Sequence, residues 1–215
     1  MKLYFRPGSL SLAARMILLE GGIAFESEAL DVLGKRTVSG EDFLAISPFG
    51  AMPALEIAGG TVLTQPSAIL QHCADLTGIA AFAPAIGSAP RACLHEALGF
   101  VGDFHHAMAM VGEPLIDDDQ SDNIFLVSLS RKALVARVNR LLERIDSMLP
   151  ASGYWLGDYT PADIYLFTVL RCIPGLNLDL VEPIDLSFCV RLQALTERID
   201  SRPLTQAALK AEGLI

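Results

Sequence analysis

The sequence has no long uninterrupted apolar run, although just over half of its residues are apolar. Arg, Asp, Glu, Gly and Pro interrupt the 52% of hydrophobic residues throughout the 215-residue chain. Because a helix that spans a membrane needs about 20 consecutive apolar residues, we do not expect a membrane protein. The same apolar content supplies a substantial core, which excludes a disordered chain.

Cysteine is scarce, and its spacing is wide. The four cysteines, Cys73, Cys93, Cys172 and Cys189, form no C-x-x-C pair, which argues against a zinc site and against a dithiol redox motif. Each lies in an apolar helical context typical of a buried, reduced thiol. The N-terminal segment turns at Pro7-Gly8 and lacks the apolar region of a secretory signal. We therefore expect a cytoplasmic protein without a bound metal.

Basic residues are in the minority. The chain has 25 acidic and 16 basic residues, a net charge of -9, and no basic run longer than the pairs Lys35-Arg36 and Arg131-Lys132. Such a chain repels a phosphate backbone overall, so we expect neither nucleic acid nor a membrane surface among its partners.

Strand and helix signals alternate over the first 78 residues, with Gly and Pro between them. The predicted elements are a strand over 2–5, a helix capped by Ser9 or Ser11 that ends at Gly21-Gly22, a strand over 25–32, a polar and weakly helical segment over 34–47, a hairpin of 54–57 with 61–63, and a helix from Pro66 to Gly78. Gly59 and Gly60 tolerate the positive φ that tight hairpins demand. The order βαβ–ββα predicts a four-stranded mixed sheet.

After residue 78 the pattern changes. Residues 79–90 are rich in Ala, Gly and Pro without any formal charge before Arg91, which places a linker there. Helical spacing then recurs over 90–110, 121–149, 161–173, 187–199 and 203–211. The predicted domains are therefore 1–78, an α/β domain, and 91–215, an all-α helical bundle, joined by 79–90.

The most complete local signal is a helix start at Thr160-Pro161. Thr160 is suited to cap the helix, Pro161 fits its first turn, and Asp163 can reach back to the cap amide. Such a device stabilises a protein by about 1 kcal/mol per cap and describes no chemistry.

Taken together, these features resemble the glutathione transferase family over the whole chain. The resemblance rests on the βαβ–ββα plan, on Met52-Pro53 before the hairpin, on Gly157-x-x-Thr160-x-Ala162-Asp163, and on the helical second half. The segments 2–9 and 35–50 look most like the bacterial beta class. The resemblance implies a thioredoxin-like first domain, glutathione as co-substrate, a homodimer and a role in detoxification.

The family places glutathione against a cis proline. The backbone N–H and C=O of the residue before that proline pair with the cysteinyl part of glutathione as an added strand does. Met52 and Pro53 occupy these positions here, so the resemblance implies a cis bond.

The family also needs a group that lowers the pKa of the glutathione thiol. In beta-class relatives a cysteine aligns with Leu10 and a histidine aligns with His106. This chain has no thiol at residue 10, so the candidates are Ser11, which we favour, and Ser9. Ser11 as a simple helix N-cap is an equally good interpretation.

The histidines of the first long helix share one face with two glycines. His95, Gly99, Gly102 and His106 have helical spacing, and the glycines predict a shallow groove for a ligand or for a packed helix. We place His106 near the ligand sulfur, give His105 a weaker claim, and assign His95 to packing or to an interface.

The glutamyl end of glutathione is where the sequence departs most from the family. Gln65-Pro66 stands where relatives have a carboxylate followed by a residue with an N–H group. The loss of one charge-assisted hydrogen bond costs about 1.5–3 kcal/mol, unless Ser67 substitutes. Lys35 is a candidate for the glycyl carboxylate, although a solvated lysine is the simpler interpretation.

Three functions remain open at this point. The first is conjugation of glutathione to small hydrophobic electrophiles in a pocket lined by Phe104, Met108, Met110 and Val111. The second is a non-catalytic binding or assembly module whose glutathione site has decayed, as Leu10, Gln65 and Pro66 suggest. The third is a glutathione-dependent lyase, isomerase or peroxidase, which would share the same site.

Overall fold

The computed structural model describes residues 1–31, 36–112, 124–177, 180 and 182–215. The strands are β1 (Lys2–Phe5), β2 (Glu26–Ala29), β3 (Ala54–Glu56) and β4 (Val62–Leu63). The helices are α1 (Ser11–Glu20), α2 (Phe43–Ile46), α3 (Pro66–Thr77), α4 (Ala89–Gly112), α5 (Ile124–Met148), α6 (Pro161–Leu170), α7 (Ile173–Asn177), α8 (Val190–Asp200) and α9 (Pro203–Ala211).

The strands form one mixed sheet in the order β2-β1-β3-β4. β1 is parallel to β2, as a crossover through α1 requires, and antiparallel to β3, which forms the hairpin with β4. Gly59 and Gly60 have φ of 81° and 76° in the hairpin turn, which confirms the predicted use of glycine there. β2 ends at Ala29, three residues earlier than the sequence predicted.

α1 is the centre of the molecule. It packs on the sheet, on α3, and on α6 and α9 of the second half of the chain, so its residues 11–18 are all buried. Gly21 ends α1 where a methyl group would lie only 2.7 Å from Thr77 Cγ2, so a side chain at this position is excluded. The close approach of α1 and α3 therefore depends on glycine.

α6 is the corresponding centre of the helical half. All ten of its residues are buried, and its apolar side chains are distributed around the whole helix. This is expected for a helix surrounded by protein. One apolar core runs from Leu3 and Leu12 through to Leu166 and Phe167, so the two halves share their interior.

The predicted helix over 161–173 ends three residues early, and a short second helix begins at its last predicted residue. α6 ends at Leu170, and α7 begins at Ile173. Pro174 explains the break, because a proline ring clashes with the carbonyl four residues earlier, which here belongs to Leu170.

In the described ranges, no helix is long and apolar enough to cross a membrane.

Asp163 closes the start of α6. Its carboxylate accepts hydrogen bonds from Thr160 N at 2.9 Å, from Thr160 Oγ1 at 2.8 Å and from Trp155 N at 2.9 Å. The predicted reach of Asp163 back to the cap amide is confirmed, while the Thr160 hydroxyl donates to the carboxylate itself. This buried arrangement fixes the loop before α6 as well as the helix.

Candidate functional site

The peptide bond between Met52 and Pro53 is cis, as the resemblance implied. Pro53 is buried and Met52 is half-buried immediately before β3. Within the described part of the chain, the backbone N–H and C=O of Met52 take part in no hydrogen bond. The bend therefore offers a free donor and a free acceptor at the position where an extended peptide can add to the sheet.

A pair of hydroxyl groups lies at the start of α1. Ser9 Oγ and Ser11 Oγ are 2.8 Å apart, and Ser11 Oγ is 3.4 Å from the Arg6 carbonyl oxygen. Ser11 is fully buried, whereas Ser9 is half-buried. Ser9 is therefore the more accessible of the two serines, whereas the sequence favoured Ser11.

Neither serine is the N-cap of α1. That position belongs to Leu10, which has helical backbone angles and no capping side chain, so the predicted cap by Ser9 or Ser11 is wrong. The nearest substitute is Ser9 Oγ, 3.4 Å from Ser11 N, which is at the limit of a hydrogen bond. The physical reason is that the Ser9 and Leu10 carbonyls already accept from the first amides of the helix.

A buried ion pair holds this turn from the C-terminal side. Glu212 Oε2 accepts from Gly8 N at 3.1 Å, and Glu212 Oε1 accepts from Arg15 Nε at 3.0 Å. Burial raises the pKa of Glu212, and the hydrogen bond from Arg15 opposes that rise. Among the described residues, the buried Nη2 of the Arg15 guanidinium has no hydrogen-bond partner.

A thiol that sequence reasoning did not place in the site reaches the same turn. Cys172 Sγ is 3.8 Å from the carbonyl oxygen of Gly8 and 3.5 Å from that of Thr168. The contact joins residues 164 positions apart, so spacing along the chain gives no signal for it.

The start of α3 is open. Gln65 is its N-cap residue, is exposed, and makes no capping hydrogen bond; Pro66 follows as the first helical residue. Ser67 faces α4, where a methyl group at Gly102 would lie 3.7 Å from Ser67 Oγ. The structure thus places Ser67, predicted at the glutamyl end, next to Gly102, predicted to line the groove.

The two adjacent histidines of α4 have different surroundings. His106 is exposed and follows Gly102 by one helical turn, so it lies on the stripe that faces Ser67. His105 is half-buried, and its ring centroid is 6.4 Å from that of Tyr165. Burial lowers the pKa of His105, and the nearby His106 lowers it further.

His95 belongs to a polar cluster between α3 and α4. Arg91 Nε donates to His95 Nε2 at 2.8 Å, and the Arg91 guanidinium donates to both carboxylate oxygens of Asp75 at 2.7 and 3.1 Å. The Arg91 guanidinium lowers the pKa of Asp75. The contacts of His95 are thus with the α3–α4 cluster, in the packing role that the sequence suggested.

The predicted hydrophobic pocket needs a correction. Phe104, Met108 and Val111 are only 1%, 2% and 1% exposed, because their helical spacing turns them into the apolar core. Met110 is the only one of the four predicted residues that is partly exposed. Lys35, predicted at the glycyl carboxylate, lies outside the described residues.

Comparisons with known proteins agree with this geometry. Residues 9–76 match the family model of the glutathione S-transferase N-terminal domain. The chain is 32% identical to glutathione S-transferase GstA of Escherichia coli O157:H7, with all of both chains aligned.

Solved structures give the same result. The beta-class glutathione S-transferase of Sphingomonas chungbukensis is 35% identical, with a TM-score of 0.84 over all of both chains. A sphingomonad glutathione S-transferase complexed with glutathione is also 35% identical, with a TM-score of 0.75 over all of both chains. The resemblance inferred from the sequence, including its thioredoxin-like first domain and helical second domain, is confirmed.

Proposed function

This chain belongs to the glutathione S-transferase family, and from that premise we propose that it transfers the thiolate of glutathione to small hydrophobic electrophiles. The observation that carries the proposal is the cis Met52–Pro53 bond with the unpaired backbone groups of Met52. Glutathione is a peptide, and its cysteinyl residue can pair with both groups in an antiparallel manner. This pairing sets the register of the whole ligand.

The register directs the cysteinyl sulfur toward the start of α1. A free thiol has a pKa of about 8.5, so only a few per cent is thiolate at pH 7. We assign Ser9 Oγ as the hydrogen-bond donor to the thiolate, with Ser11 Oγ 2.8 Å behind it to orient the Ser9 hydroxyl. A pKa lowered by about two units, equivalent to about 2.7 kcal/mol, makes the thiolate the main form near neutral pH.

The glutamyl end is assigned to the open start of α3. The exposed Gln65 side chain can accept from the ligand ammonium, and Ser67 can donate to the ligand carboxylate near the helix N-terminus. Pro66 supplies no N–H group and Gln65 supplies no charge, so we expect weaker binding than a carboxylate at residue 65 would give.

The electrophile side is assigned to α4. On that helix His106 is exposed and lies on the face of Gly102, and Met110 is half-buried. We further propose a cytoplasmic homodimer that serves detoxification. The side chain of Phe49 is apolar and 90% exposed, which supports a subunit contact. Size-exclusion chromatography tests the dimer. A monomer at all concentrations would contradict it.

Calorimetric titration with reduced glutathione, followed by a conjugation assay with an aryl halide, tests the function. We expect saturable heat and turnover. Ser9→Ala should lower kcat roughly 100-fold and move the pH–rate midpoint upward, with little change in KM for glutathione. Ser201→Ala is the matched control, because Ser201 Oγ is exposed and donates only to the Arg198 carbonyl.

The alternative is a binding or assembly module whose glutathione site has decayed. The observation in its favour is the set Leu10, Gln65 and Pro66, which removes a thiol, a charge and an N–H group from the site. No heat at millimolar glutathione would establish this alternative and defeat the transferase proposal.

A further inference from the structure

The end of α9 contacts the loop that carries Ser9, and this contact extends the proposed function. Glu212 Oε2 accepts a hydrogen bond from Gly8 N at 3.1 Å, between residues 204 positions apart. The Glu212 side chain is 0% exposed, and its second oxygen accepts from Arg15 Nε at 3.0 Å. The buried carboxylate therefore binds the residue directly before the hydroxyl that we assign to the glutathione thiolate.

The shape of this loop depends on one peptide group. Ser9 N donates to the Arg6 carbonyl at 3.0 Å, which closes a β-turn over 6–9, and Gly8 has a φ of 72°. A positive φ at the third residue of a turn, with proline at the second, is typical of type II. Types I and II differ mainly in the direction of the central peptide, so the direction of the Gly8 N–H selects the turn type.

Glu212 holds this peptide in the type II direction. As the anionic partner of Arg15, its carboxylate makes a charge-assisted bond to Gly8 N, which is roughly twice as strong as a neutral one. A second contact to Gly8, from the thiol of Cys172 to the carbonyl oxygen, is longer, at 3.8 Å, and comes from a weak donor. The carboxylate is therefore the stronger restraint on the turn.

The backbone of Glu212 is itself fixed. Glu212 is the C-cap residue of α9, and its N–H donates to the Leu209 carbonyl at 3.2 Å. Gly213 follows with a φ of 68°, and Leu214 N donates back to the Leu209 carbonyl at 3.0 Å, which closes the helix end. The end of α9 is thus a rigid support for the turn over 6–9.

We propose that Glu212 is a positioning residue for the transferase reaction, because it fixes the Gly8 peptide and thereby directs the Ser9 hydroxyl toward the glutathione thiolate. The inference rests on the proposed function, which supplies the thiolate that Ser9 stabilises. Glu212 acts through the turn and leaves the assigned ligand contacts at Met52 and Gln65 unchanged. Its loss should therefore raise the pKa of the bound thiol without weakening glutathione binding.

The experiment is Glu212→Gln in the full-length protein, with reduced glutathione and an aryl halide as substrates. A carboxamide has one acceptor oxygen, so it cannot serve both Gly8 N and Arg15 Nε as the carboxylate does. The pH–rate midpoint should rise by about one unit, so kcat below the midpoint should fall about tenfold. KM for glutathione should not change, and kcat well above the midpoint should return to the wild-type value.

Glu20→Gln is the matched control. Glu20 is the last residue of α1, and its carboxylate lies 2.9 Å from Arg202 Nη2, at the N-cap of α9. The same substitution thus breaks a second ion pair between these helices, at the end of α1 that is far from Ser9. It should lower the temperature of unfolding and leave the pH–rate midpoint unchanged.

Gly8→Ala changes the same turn and keeps the carboxylate. A methyl group at residue 8 would make an ordinary contact, 3.5 Å from Leu214 Cδ2, but the positive φ strains any residue with a side chain. The midpoint should rise as in Glu212→Gln, and the double variant should shift it by less than the sum, because both changes act on one peptide. If Glu212→Gln does not fold, Gly8→Ala carries the test, and an unshifted midpoint there overturns the inference.

The possible failures are distinguishable. Absence of both glutathione binding and turnover in wild type would defeat the proposed function and this inference together. If wild type turns over, three results would overturn the inference alone. These are an unshifted midpoint in Glu212→Gln, an equal fall of kcat at every pH in that variant, and the same midpoint shift in Glu20→Gln.

Discussion

The helices α3 and α6 both begin with a proline, but only the N-terminus of α6 is capped by a side chain of the chain itself. α3 begins at Gln65-Pro66 and α6 at Thr160-Pro161, each with proline as the first helical residue. In α6 the third helical residue is Asp163, whose carboxylate accepts three hydrogen bonds in full burial. In α3 the third helical residue is Ala68, which is exposed, and the N-cap makes no side-chain bond.

The difference shows what each start is for. At the start of α6 the carboxylate of Asp163 accepts from the amide of the cap residue and from a loop amide, so the chain itself occupies this helix start. Where the chain supplies none, the amides and the positive end of the helix remain available to an anion from outside. The closed start of α6, where Asp163 caps the helix, is part of the core. The open start of α3, where no side chain caps the helix, is the position that we assign to the glutamyl carboxylate.

The largest effect should come from opening the closed start. Asp163→Ala leaves Thr160 and Trp155 with buried donors that lack an acceptor, so the free energy of unfolding should fall by about 3 kcal/mol. Urea unfolding measures this loss. Asp158→Ala is the control, since Asp158 is exposed, and should change little. A loss below about 1 kcal/mol for Asp163→Ala would mean that the carboxylate is not what closes this start.

The next effect should come from charging the open start. Gln65→Glu restores the carboxylate for the ligand ammonium, so glutathione should bind about 10- to 150-fold more tightly, or about 1.5–3 kcal/mol. Calorimetry measures the dissociation constant. Gln71→Glu makes the same charge change further along α3, where the Gln71 amide donates to the Ser67 carbonyl. Equal tightening by both variants would contradict a specific role for residue 65.

A third variant converts the open start into a copy of the closed one. The double change Gln65→Thr with Ala68→Asp builds a capping box on α3, which should raise the free energy of unfolding by about 1 kcal/mol. The new carboxylate accepts from the amide of residue 65 and repels the ligand carboxylate, so glutathione binding should weaken. Thermal unfolding and calorimetry on one preparation check both. Higher stability with unchanged binding would show that the ligand does not use this helix start.

The smallest effect concerns the face of α4 that lies opposite the start of α3. Gly102→Ala and Gly99→Ala each remove a glycine from the interior of α4, so each should gain about 0.5–1 kcal/mol of stability. A methyl group at residue 99 has no atom within 4 Å, whereas one at residue 102 lies 3.7 Å from Ser67 Oγ. Glutathione binding should therefore weaken slightly in Gly102→Ala alone. An equal response of both variants would remove Gly102 from the site.

The sequence predicted most of this architecture, because local signals specify it. β1 and α9 have the predicted bounds, and the bend at Met52-Pro53 is cis. The predicted helix over 161–173 stopped just before Pro174, but the proline ring also excludes a helical carbonyl at Leu170, so α6 ends three residues earlier than predicted.

The site was harder to predict from the sequence than the fold, because its contacts join distant parts of the chain. Phe104, Met108 and Val111 have the spacing of an apolar helix face, and spacing alone does not separate a core from a substrate pocket. The contact of Cys172 with Gly8 and the bond of Gly8 to Glu212 link the first turn to the end of the chain. Only the packing of α1 on α6 and α9 creates them.

The central claim is that glutathione adds to the sheet edge at Met52, and amide hydrogen exchange at that residue tests it most directly. The Met52 N–H has no partner in the described structure, so it should exchange rapidly in the free protein. Saturating glutathione should slow its exchange strongly, while the amide of Gly59 in the exposed hairpin turn should not change. Unchanged exchange at Met52 under saturating ligand would contradict the account.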